Sequence, residues 1–116
     1  MLERGDMERN KLLFIIDAHG TKVQEDIAIE ELAELQKAIL KHRRYRSEET
    51  EQDIIDEIAD VEIMLEQLKI IYSCHKDVEK RIEYKIEREI KRIKKKYNII
   101  DELQSNFYVE RFNKVK

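Results

Sequence analysis

A run of carboxylates set in one apolar frame occurs twice in this chain. It reads Ile29-Glu30-Glu31-Leu32-Ala33-Glu34-Leu35 and, 26 positions later, Ile55-Asp56-Glu57-Ile58-Ala59-Asp60-Val61. At about 100° per residue, Ala28, Leu32, Leu35 and Ile39 form one stripe, and Ile54, Ile58, Val61 and Leu65 form its match, so both segments read as α-helices with inward-facing stripes. Glu31 and Glu57 then sit about 60° from the stripe centre, with Glu34 and Asp60 one step further round on the same side. Packing the stripes together gathers four acids into one partly dry pocket, where repulsion and desolvation act together. A divalent cation relieves both penalties. The neighbouring Glu30 and Asp56 project about 100° away and read as solvent-facing.

The rest of the chain agrees with helices. It has 116 residues, no Pro, two Gly (Gly5 and Gly20), and 42% Asp, Glu, Lys or Arg. That composition favours long helices and leaves little turn chemistry for hairpins, so the expected fold is all-α, a four- to five-helix bundle with a carboxylate metal site between helices two and three. A single domain over 1–116 is expected at this length. Cys74 stands alone, which gives no disulfide framework and no cysteine zinc site, and the first residues hold no apolar leader core. A reducing cytoplasm is the expected setting, with no membrane and no nucleic acid as partner. The net charge of −3 hides an asymmetry: residues 1–74 carry 18 acids against 10 bases, and residues 75–96 carry 5 against 10. The Lys91–Lys96 run suits the end of a helix.

Periodicity predicts helices over about Met7–Asp17, Thr21–Arg44, Glu49–Tyr72 and Lys76–Tyr97, with His19-Gly20 as the first stop, Thr21 and Ser47 as N-caps, and Ser73-Cys74-His75 as the last break. Residues 97–116, with Phe107, Tyr108 and Phe112, have helical spacing and enough aromatic content to dock on a core or on a second subunit. Because so charged a chain buries little apolar area alone, a homodimer or homotetramer is expected.

Several chemistries fail on the residues. None of His19, His42 and His75 has a Glu three positions before it, as ferritin-like di-iron bundles require. Zincin, EF-hand and P-loop motifs are absent, and adjacent Cys74 and His75 say nothing of a nucleophile meeting its base. All-oxygen ligation points to Mg²⁺, with Mn²⁺ as the alternative.

Gln24, Glu31-Leu32-Ala33-Glu34-Leu35, the 22-residue gap from Glu34 to Glu57, and Glu57-Ile58-Ala59-Asp60-Val61-Glu62-Ile63-Met64-Leu65-Glu66-Gln67-Leu68 together resemble the MazG-type all-α nucleoside triphosphate pyrophosphohydrolases, over about residues 8–96. The match is to the short, phage-like MazG-related members, whose hallmark is E-x-x-E, a gap, then E-x-x-D. The resemblance implies Mg²⁺ bound by Glu31, Glu34, Glu57 and Asp60, and cleavage of a (deoxy)nucleoside triphosphate between its α- and β-phosphates. Glu34, at the edge of the stripe, is the carboxylate expected to orient or deprotonate the water. Lys41, Arg44, Lys85 and Arg88 are expected at phosphate oxygens and Gln24 at the base or sugar.

This chain departs from the larger MazG proteins in having one domain and in lacking a recognisable downstream Asn-containing segment, which leaves base preference open. Phosphoribosyl-ATP pyrophosphohydrolases and dimeric dUTPases share related scaffolds. The competing reading is a non-enzymatic helical interaction or oligomerisation module, with the acids as a solvated face.

Overall fold

In the computed structural model, residues 4–98 are described, with side chains from Glu8 onward; the aromatic tail and the expected fifth helix lie outside these residues. The fold is all-α, with helices α1 (Arg4–His19), α2 (Thr21–Arg44), α3 (Glu48–Ile71) and α4 (His75–Tyr97), and no strand occurs among the described residues. The chain separates into two compact units, one ending at Val78 and one beginning at Glu79, so the division falls inside α4.

The turn from α1 to α2 rests on Gly20, whose φ of 89° lies where side chains with a Cβ are strained. Its N–H donates to the Ile16 carbonyl at 2.7 Å, and Gly20 is itself the N-cap of α2 with no side-chain cap bond. Thr21, expected to cap, is instead the first helical residue: a backbone in this region already ends α1, so the cap position falls on the glycine.

The turn between α2 and α3 is held by side chains. Ser47 Oγ accepts from the Thr50 N–H at 3.1 Å, Thr50 Oγ1 accepts from the Ser47 N–H at 3.0 Å, and His42 Nδ1 lies 2.7 Å from the same hydroxyl. This reciprocal box satisfies amides that a helix start leaves unpaired, and His42 ties it to the last turns of α2. At the far end of α3, Ser73 adopts a left-handed φ of 50° and the Cys74 N–H returns to the Lys69 carbonyl at 3.0 Å, which closes the helix.

Within the first unit α1 touches both α2 and α3, but the main packing is α2 against α3. Contacts from Gln24 to Gln67 and from His42 to Thr50 fix these two as antiparallel along their whole length. Buried or half-buried positions that recur in steps of three and four include Gln24, Ala28, Glu31, Leu35, Ala38 and His42 on α2, and Thr50, Ile54, Glu57, Val61, Met64 and Gln67 on α3. This seam is turned about 50–70° from the expected stripe centre, toward the acids. Glu31 and Glu57 are therefore in the seam, while Leu32, Ile39, Ile58 and Leu65 are left exposed. Ala28 and Ala38 are buried on the observed line, and an apolar band wider than one seam cannot be covered by one partner helix.

Candidate metal centre

Antiparallel register, with Gln24 opposite Gln67, sets Glu31 level with Asp60 and Glu34 level with Glu57. One carboxylate oxygen from each of Glu31, Glu57 and Asp60 lies within 4.8 Å of the other two. Glu31 and Glu57 are half-buried and Asp60 is exposed, so the group opens from the seam to the surface. The Glu31 pKa is raised, first by desolvation, then by the charge of Asp60 and by hydrogen bonding to Glu57. Oε2 of Glu57 is buried without a hydrogen-bond partner. A carboxylate oxygen in that state costs free energy unless a cation or donor meets it. The donor set is hard oxygen alone, which fits Mg²⁺ or Mn²⁺ and leaves coordination positions for ligand or water oxygens.

Glu34 stands outside this trio. It is exposed and its Oε1 lies 3.9 Å from Lys37 Nζ, one helix step beyond the seam position that Glu31 holds. It does border a cleft of about 410 Å³ whose walls also include Glu57, Lys41, Arg44, Asp53 and Asp56. Glu57 belongs to both the trio and the cleft. Three acids meant as ligands thus converge, and the fourth shares the adjoining cleft with the two α2 cations expected at phosphate.

The other expected contacts are Gln24, Lys85 and Arg88. Gln24 is 2% exposed, with its Nε2 donating to Gln67 Oε1 at 2.7 Å, so it occupies the helix seam where a nucleotide contact was expected. Lys85 and Arg88 belong to the second unit, where the Arg88 guanidinium lies 5.7 Å from the centre of the Tyr84 ring and its Nε is buried without a partner. Asp53, Asp56 and Lys37 are cleft residues that reasoning from the repeated frame missed. Asp53, Asp56, Glu57 and Asp60 stand at i, i+3, i+4 and i+7, a signal that one edge of α3 is acidic over about two turns. Asp56, read as solvent-facing, is exposed; it also borders the cleft and accepts from Gln52 Nε2 at 3.1 Å.

Compared with models of protein families, with curated proteins and with solved structures, the chain matches none. Among the described residues, no helix is long and apolar enough to cross a membrane.

Proposed function

We propose that this chain is a Mg²⁺-dependent nucleoside triphosphate pyrophosphohydrolase of the MazG type, releasing a nucleoside monophosphate and pyrophosphate. The observation that carries this reading is the convergence of Glu31, Glu57 and Asp60, with one buried Glu57 oxygen unpaired, beside a cleft that holds Lys41 and Arg44. Carboxylates alone would repel a polyphosphate, and cations alone would bind it without a place for a metal. Both on one cleft suit a metal-chelated triphosphate. The resemblance of the repeated acid frame to the MazG hallmark supports the same substrate class.

Mg²⁺, when bound, supplies charge neutralisation at the phosphates and lowers the pKa of a coordinated water. Glu31, Glu57 and Asp60 would hold it. Lys41 and Arg44 bind and orient phosphate oxygens, and the exposed carboxylate of Glu34 faces the same space as the base that takes a proton from the attacking water.

Pyrophosphate release from a panel of ribo- and deoxyribonucleoside triphosphates, with and without Mg²⁺, tests the proposal. Metal-dependent release with one pyrophosphate per monophosphate is expected, and it should be lost in Glu57→Gln while Glu30→Gln keeps most of the activity. Release of inorganic phosphate alone, or no turnover of any nucleotide, sinks it.

A further inference from the structure

From Ile82 onward α4 carries one apolar stripe. Ile82, Ile86, Ile90, Ile93 and Tyr97 recur at three- and four-residue steps and fall within about 80° of one another, with Glu89 on one border of the stripe and Glu83 on the other. No residue of α4 is buried, and Ile82, Ile86, Ile93 and Tyr97 are 48%, 53%, 42% and 62% exposed. Isoleucine repeated at this spacing is a helix-packing face, and leaving it to water costs free energy.

The helix stops at a reversal. Asn98 has a left-handed φ of 52° and its N–H reaches the Lys95 carbonyl at 3.4 Å, which ends α4 directly after the stripe. The sequence continues with Ile99–Lys116, in which Asp101 and Glu102 come early, where acids suit a helix start, and Leu103, Phe107, Phe112 and Val115 follow. Helices joined by two to five residues lie antiparallel as hairpins. With Asn98-Ile99-Ile100 as that connection, each of these apolar residues falls level, to within one position, with a member of the stripe: Leu103 with Ile93, Phe107 with Ile90, Phe112 with Ile86 and Val115 with Ile82. Residues 101–115 as a helix rise about 21 Å, close to the roughly 22 Å from Ile82 to Tyr97.

The charges agree with the same register. Asp101 and Glu102 fall level with Lys96 and Lys95, Glu110 and Arg111 with Glu87 and Arg88, and Lys114 with Glu83. Only Lys116, level with Arg81, meets a like charge alone. Glu110 also puts an acceptor at the level of Arg88, whose Nε is buried without a partner.

We propose that residues 101–115 are the partner of this stripe: a fifth helix that folds back on α4 within the same chain, with Leu103, Phe107, Phe112 and Val115 over Ile93, Ile90, Ile86 and Ile82. The second unit is then a helical hairpin in its own right. The inference is independent of the hydrolase reading, because neither the carboxylate trio nor its cleft takes part.

Hydrogen–deuterium exchange of the full chain tests it. Backbone amides of residues 103–115 should exchange at least about tenfold more slowly than those of an unstructured chain, equally at a few micromolar and at hundreds of micromolar. Ile86→Glu in α4 and Phe112→Glu in the tail should each release protection both in residues 86–93 and in the tail, since either removes the shared contact; glutamate is a good helix former, so α4 itself persists. Glu102→Lys should lower protection of the tail, and adding Lys95→Glu should restore it. A tail that exchanges freely, or one protected only at the higher concentration because a second copy covers the stripe, overturns the proposal. So does protection of the tail that Ile86→Glu leaves intact, which places the tail elsewhere, or a Glu102→Lys effect that Lys95→Glu does not reverse.

Discussion

Glu31 is held in the seam at the expense of its charge. Desolvation, Asp60 and Glu57 all favour its protonated form, so the folded chain keeps a proton that the unfolded chain releases. With the folded pKa raised, the stability contribution is intact below the ordinary glutamate range and is lost as pH climbs through that range to the raised value. Without metal, Glu31→Gln should therefore melt higher than the parent by a margin that widens from acidic toward neutral pH, and its melting temperature should no longer respond to Mg²⁺. A margin independent of pH would show that the carboxylates do not share a proton. Glu66 titrates in the opposite sense: hydrogen bonding to Lys69 and His75 lowers its pKa, so its contribution fades as pH falls, and Glu66→Gln should narrow its deficit in acid. The identity of the acids was legible from the repeat, because a carboxylate recurring beside an apolar stripe has few structural explanations. Their grouping was not. Glu34 and Asp60 hold equivalent places in the two repeats, and only the direction each side chain takes, Glu34 toward Lys37 and Asp60 toward Glu31, separates them.

At the scale of elements, the turn between α2 and α3 depends on one hydroxyl. Thr50 Oγ1 meets the Ser47 N–H and His42 Nδ1 while its own N–H is capped by Ser47, so Thr50→Ala should cost about 1–2 kcal/mol, and Thr50→Ser should restore most of it. Chemical denaturation of both variants measures this, and a cost near zero for alanine would mean that water replaces the hydroxyl. Gly20→Ala meets nothing within 4 Å, yet its φ of 89° should make it destabilising by about 1 kcal/mol or more. Helix extents were legible to within three residues, since α2 runs from Thr21 to Arg44 as the apolar period indicates, and Ser47 caps α3 as its position suggests. The orientation of the helices was not legible. An apolar band spanning Ala28 to Ile39 has a centre only if one partner covers all of it, and here the seam follows the alanines and takes Glu31 with it. Gln24 and Gln67 show the same difficulty, because a polar residue on a charged helix looks exposed until its matching amide faces it.

For the molecule as a whole, metal binding and folding are linked. If the trio forms only when α2 and α3 are paired, Mg²⁺ at a hundredfold excess over its Kd should add about 2.7 kcal/mol of stability. For a domain of this size each kcal/mol raises the melting temperature by about 4–8 °C. Thermal melts across a Mg²⁺ series read this directly, with Na⁺ at matched ionic strength as the control, and equal responses to both ions would reduce the trio to bulk charge. Composition and periodicity had already indicated an all-α chain; the division at Val78 and Glu79 was hidden, because α4 continues across it without a break in its periodicity. The buried amide pair at the open end of the hairpin carries no charge in either state of the carboxylates. A slide of α2 along α3 by a single residue, about 1.5 Å, would unmake that bond and carry Glu31 out of line with Asp60. The pair thus acts as a pH-indifferent pin: protons and cations can come and go among the acids while the axial alignment that brings them together stays where the amides set it.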